Sequence, residues 1–245
     1  MNLTDGDAQV AAYLVEPPSP APGGAAGIVW FHWLETGDPT SNRTEFLDEA
    51  SALADQGVVS ILVDGQFPWH DNPISIEHDI AAVESDADMV KQAVALLEAN
   101  PSVDKSRIAL VGHDFGAMYS SVVFGEDPSI SALVMMAPTA RWADWFLPYW
   151  PHSDDPDSYK ASMKALDPVT ALKKANGRPV LLQFATEDQY VPADTANEIA
   201  RAAGSGMERT DYDTDHSLRL PGVSADRDAW LTQVLNLGPA ASPAP

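Results

Sequence analysis

The feature that most constrains this chain is a rhythm: short, wholly apolar runs alternate with segments of helical spacing. "GIVWFHW" reads as a buried strand and "TEFLDEASALADQG" as a helix with Gly57 placed as its stop; "VVSILVD" is again an apolar strand. The pattern continues through a helix "IAAVESDADMVKQAVALLEAN", a strand "RIALVG", a helix "AMYSSVVFG" and a strand "ISALVMMAP". It closes with "RPVLLQFAT", "ADTANEIARAAG", a weaker strand "MERTDYD" and a helix "DRDAWLTQVLNLG". Strands apolar on both faces must be covered on both faces, so the expected class is α/β, a mostly parallel sheet with helices on either side. In such sheets, sites form at the carboxyl ends of the strands.

Residues 139–178, rich in aromatics and proline, interrupt the alternation and are expected to form a short insert over that carboxyl-end face. Ahead of the first buried strand, "AQVAAYLVEP" alternates like a strand and ends in a Pro, Gly and Ala-rich turn. One domain over residues 1–238 is expected, with a disordered tail at 239–245.

Composition excludes some partners. Thirty-six acidic against 14 basic residues give a formal charge of −22, which repels phosphate backbones and anionic headgroups, so neither nucleic acid nor membrane is an expected partner. The absence of cysteine removes disulfides, thiolate metal sites and a thiol nucleophile. The acidic start "MNLTDGDAQV" does not read as a secretion signal, and no apolar run approaches the roughly 20 residues of a membrane span, so a cytoplasmic location is expected. A small-molecule substrate and a monomer or homodimer complete the expectation.

The chemistry is carried by "RIALVGHDFGAMYSS". In G-x-Nu-x-G the nucleophile sits on a sharp strand-to-helix turn, with small residues two positions either side. Here the glycines are Gly112 and Gly116, and the centre, usually serine, is Asp114. The turn aims the Phe115 amide at the reacting centre, beside a helix N-terminus that favours negative charge. A second amide is expected from the loop after "IVWFHW", at Trp33 or Leu34, to complete an oxyanion hole. Asp188, just past a strand end in "FATEDQYVP", can orient an imidazole, and His216 in "DYDTDHSLRLPG" supplies one. The order nucleophile, acid, histidine is that of this elbow's triad.

Through these residues the chain resembles the α/β-hydrolase superfamily over nearly its whole length. The plan with a short insert is similar to the dienelactone hydrolases, and "GHDFG" is similar to the aspartate-centred elbow of epoxide hydrolases and of haloalkane and haloacetate dehalogenases. It departs from those enzymes in its loop "FHWLETG" and in carrying Phe115 where many have tryptophan. The resemblance implies a cofactor-free hydrolase in which Asp114 attacks an epoxide or carbon–halogen bond, and His216, held by Asp188, activates water to hydrolyse the resulting ester.

Candidates to line the site are Arg141, Trp142, Trp145, Tyr149, Trp150 and Tyr159 in the insert, Tyr119 beneath the elbow, and Arg43 for a substrate carboxylate. No metal is expected, since His70 and His78 follow no ligand spacing; His32 is expected to brace the oxyanion loop. Two alternatives stay open. One is lactone or ester hydrolysis with Asp114 as acid and base; the other is a catalytically silent, ligand-binding protein.

Overall fold

The computed structural model describes residues 1–5, 8–19, 21, 23–33, 42–65, 75–149 and 154–238. Its frame is a seven-stranded sheet. In chain order, β1 (Asn2–Asp5) and β2 (Ala8–Ala11) form a separate antiparallel ribbon, and β3 (Tyr13–Val15) opens the main sheet. β4 (Ala25–Phe31), α1 (Leu47–Ala54) and β5 (Val58–Val63) follow, then α2 (Ile76–Ala99), β6 (Val103–His113), α3 (Phe115–Glu126) and β7 (Ala132–Met136). The insert is α4 (Trp142–Tyr149), α5 (Pro156–Met163) and α6 (Pro168–Leu172); then come β8 (Val180–Ala185), α7 (Ala193–Ala203), β9 (Met207–Tyr212) and α8 (Pro221–Val234).

The strand order is β3-β5-β4-β6-β7-β8-β9, parallel except for β3. The α/β expectation is met, and the polarity follows from composition: every residue of β4, β5, β7 and β8 is buried. Each Val, Ile or Leu so covered contributes about 1.5–3 kcal/mol. The single strand expected at "AQVAAYLVEP" is instead β2 and β3, split at Ala12, and it serves two different sheets.

From β4 the chain steps outward to β5, then returns through α2 to β6 on the other side of β4. The carboxyl ends of β4 and β6 therefore diverge from a reversal of strand order, where a crevice must open. α3 leaves that crevice buried from Phe115 to Phe124, having no polar face; it is enclosed by β6, β7, α2 and α6. Among the described residues, no helix is long and apolar enough to cross a membrane. The tail at 239–245 lies outside them.

Candidate active site

Asp114 stands at the tip of β6 with φ +53° and ψ −116°, a conformation that costs on the order of 1–3 kcal/mol. The surroundings hold it there. Its N–H donates to the Met136 carbonyl at the end of β7 (2.8 Å), and its own carbonyl accepts from the Met118 N–H in the first turn of α3 (3.1 Å). The flanking glycines are sterically required: a Cβ on Gly112 would lie 2.4 Å from the Ala117 nitrogen, and one on Gly116 would lie 2.3 Å from the Phe31 carbonyl oxygen of β4. The elbow is thus wedged between its own helix and the neighbouring strand.

Three elements bring the partners together. Asp188, in the turn after β8, accepts on Oδ1 from the N–H groups of Tyr190 (2.8 Å) and Val191 (3.0 Å), leaving Oδ2 directed at His216 Nδ1 (2.8 Å). The loop after β9 is fixed by Asp215, which accepts from the Ser217 N–H (3.0 Å), and by Leu218 at φ +52°. His216 Nε2 then faces Asp114 Oδ1 at 3.7 Å. Asp114 is 2% and His216 6% exposed, so the charges interact in a poorly solvated space. Burial alone would strip the His216 proton, but contacts to Asp114 and Asp188, and the charge on both, outweigh it and push the imidazole up to about 9.

Aromatic rings wall this centre. Tyr190 stands edge-on to His216 at 5.0 Å and meets Trp145 at 5.3 Å, which in turn meets Phe115 at 5.3 Å. Trp33 approaches His216 from another side at 6.0 Å. Tyr190 also lines a cavity of about 700 Å³ with Thr139, Arg141, Leu147 and Lys160.

Of the residues read from the sequence, Asp114, Phe115, Asp188, His216, Trp33 and Trp145 converge. Others have different duties. The Trp33 amide, expected to bind an oxyanion, donates instead to Glu45 Oε2 (2.9 Å), and the His32 ring contacts the Trp33 carbonyl at 2.7 Å. Tyr119 is fully buried between Phe31 and Trp142, at 5.2 and 4.8 Å. Trp142 donates its indole N–H to the Leu166 carbonyl (2.9 Å) and is core. Tyr159 donates its hydroxyl to the buried Asp79 (2.6 Å), tying the insert to α2.

Arg141 is held in a two-pronged ion pair with Glu198 of α7, and Arg43 pairs with Asp64 at 3.2 Å. Tyr119, Trp142 and Tyr159 thus have packing roles, whereas Arg141, though paired, still lines the cavity beside Tyr190. The Tyr149 side chain, Leu34, Trp150 and His70 lie outside the described residues. No group of three His, Asp or Glu among the described residues is arranged to hold a metal ion.

Sequence reading missed Glu45 and Tyr190. Tyr190 could have been found two positions beyond Asp188 in "EDQY". Glu45 is separated from its partner His113 by 68 positions and carries no local signal.

This strand order, with an elbow after β6, an acid after β8 and a histidine after β9, defines an α/β-hydrolase. Residues 69–236, more than half of the chain, match the model of the prolyl oligopeptidase family (peptidase family S9), and the chain belongs to that family. It is similar to the polyketide transferase af380 of Aspergillus fumigatus, 29% identical over 109 residues that make up 43% of this chain and 33% of that one. The chain thus spans about a third of the length of that curated relative.

Among solved structures it resembles the Thermogutta terrifontis esterase Est2, with propionate bound, at TM-score 0.71 and 19% identity over 96% of this chain and 94% of that one. The acylaminoacyl peptidase of Pyrococcus horikoshii superposes at TM-score 0.69 and 16% identity over 96% of this chain and 40% of that one. At such identities the structural likenesses establish the fold. The match is to a hydrolase family, and it lends no support to the epoxide hydrolase or dehalogenase type that "GHDFG" resembles.

Proposed function

We propose that Asp114 is the nucleophile of a cofactor-free hydrolase acting on an sp³ carbon that bears a leaving group, an epoxide or an organohalide. The observation that carries this is the identity of the group at the elbow tip: a carboxylate, on a strained turn, beside a histidine held by a second carboxylate. A carboxylate attacks esters poorly, but it displaces an alkoxide or halide from carbon well once the two are held in line.

In the first step an Asp114 oxygen forms a bond to the substrate carbon, and the carbon–oxygen or carbon–halogen bond breaks with its electron pair leaving on oxygen or halide. An alkoxide takes the proton that His216 carries; a halide departs as it is, and His216 gives its proton to solvent once the charge of Asp114 is gone. The product is an ester on Asp114. In the second step His216 takes a proton from water, the hydroxide adds to the Asp114 carbonyl carbon, and the oxyanion forms beside the Phe115 amide at the head of α3. Collapse expels the alkoxide, which takes the proton from His216, and the carboxylic acid left at Asp114 passes its own proton to His216, restoring the starting pair.

The electrostatics time the two steps. Flanked by two carboxylates, His216 holds a proton at neutral pH and is no base. Esterification removes the charge of one carboxylate, which weakens that hold and releases His216 to act on water. The base thus becomes competent when there is an ester to hydrolyse.

The family match favours chemistry at a carbonyl, and the second reading is that Asp114 and His216 act as base and acid on an ester or lactone without a covalent step. One experiment separates the two. A His216→Gln variant is incubated with styrene oxide, bromobutane, bromoacetate and p-nitrophenyl acetate, and the Asp114 peptide is weighed. A stable mass gain from one of the first three is expected. No gain from any of them, with wild-type turnover of the acetate, transfers the assignment to carbonyl chemistry.

A further inference from the structure

Behind His216 lies a second histidine–carboxylate pair that neither step of the proposed reaction uses. His113 occupies the elbow position before Asp114 and is fully buried. Its Nδ1 lies 2.6 Å from Glu45 Oε1 and its Nε2 lies 3.0 Å from the main-chain carbonyl of His216. A carbonyl only accepts, and so does a carboxylate, so this ring donates from both nitrogens. The other Glu45 oxygen accepts the Trp33 N–H at 2.9 Å. The Trp33 ring lies parallel to the His113 ring, 7° apart in plane and 5.3 Å between centroids, and it also faces His216.

The pair is electrostatically settled. Burial pushes Glu45 up, but the charge and hydrogen bond of His113 and the Trp33 amide outweigh it and hold the carboxyl below its usual range. Contacts of this kind are charge-assisted, short and directional, which suits them to fixing position.

We infer that Glu45 and His113 are a positioning pair for the reaction, one that anchors the His216 main chain and the Trp33 peptide to the elbow so that base, wall and nucleophile keep a common register. Three segments meet there: the loop after β4, the elbow after β6 and the loop after β9. Asp188 fixes the His216 ring from the side; His113 fixes the backbone from which that ring projects. Neither Glu45 nor His113 is placed against the reacting atoms, so their influence passes through His216. The kinetic form of this role rests on the nucleophile reading, since only a two-step reaction has one step that needs His216 as base and one that does not.

The test uses Glu45→Gln, which keeps an acceptor for the Trp33 amide while removing the charge, and His113→Asn, which removes the link to His216 more severely. With the epoxide or halide that labels the His216→Gln variant, both are expected to alkylate Asp114 within about threefold of the wild-type rate and to hydrolyse the ester about 10- to 100-fold more slowly, so that the adduct accumulates. Nitrogen-15 NMR of the ring nitrogens is expected to show the His216 Nδ1–H contact with Asp188 weakened in both.

Unchanged ester hydrolysis together with an unchanged His216 signal would overturn the inference. So would equal slowing of both steps with that signal unchanged, which is the mark of a merely structural role. If no probe labels even His216→Gln, the nucleophile reading fails, and the NMR arm still decides on the positioning pair. A thermal scan keeps loss of fold distinct from loss of register.

Discussion

The elbow and the insert both supply candidate site residues in the sequence, yet the fold uses them in opposite ways. At the elbow the side chains sit on strand ends and tight turns. There the backbone is fixed by hydrogen bonds and close glycine contacts, and Asp114 and His216 are left to face one another. In the insert the side chains sit on short helices, and most are consumed in packing: Trp142 against Phe115 and Tyr119, Tyr159 on Asp79, Arg141 on Glu198. Reactive chemistry belongs where the backbone carries the structural load; where side chains carry it, they are not available for anything else.

That contrast can be broken in four ways. Asp114→Ala should cost turnover about 10⁴-fold or more while the melt stays a single cooperative transition, because the elbow is held by its backbone; steady-state kinetics and a thermal melt check both halves. Trp142→Ala should do the reverse, lowering stability by about 3–5 kcal/mol as measured by urea unfolding, since it deletes a fully buried ring.

The third is a pH effect. His216 is raised from 6.5 to about 9 in the folded protein, so the stability it contributes is complete below pH 6.5 and is lost as pH rises through about 9. The unfolding midpoint of the wild type should carry a fall over that window that His216→Gln does not show. The smallest effect is expected of Arg141→Gln, a loss of about 1 kcal/mol or less, because the pair with Glu198 is more than a third exposed on both sides. A KM for the labelling substrate raised more than about tenfold would instead return Arg141 to substrate binding.

Much of this was legible because it is local. The alternation of apolar runs located the strands of the main sheet, and Gly112 and Gly116 with a strand before and a helix after located the elbow. The order Asp114, Asp188, His216 identified the partners that the structure then brings together.

What was not legible depends on distance or on a choice between packing and binding that the sequence leaves open. Trp142, Trp145 and Phe146 stand at helical spacing, the signal of a packed face, in an insert whose aromatic residues could as well have lined the site. That the Trp33 amide is already engaged leaves no trace in the sequence, because its acceptor, Glu45, is recruited by His113 from a different segment. The role of Asp79 as the acceptor for Tyr159 spans 80 positions and is equally silent in the sequence.

The turn at Asp114 has a consequence for how such a protein can change over generations. Positions 112 and 116 admit no side chain, and the peptide between β6 and α3 is tied to β7 whatever residue occupies the tip. The backbone at 114, with φ +53° and ψ −116°, suits glycine and strains any residue that carries a side chain. The tip is therefore the place where the holder stays constant while the reagent is exchanged, and a single substitution there can redirect a lineage from one class of bond to another without asking the rest of the molecule to refold.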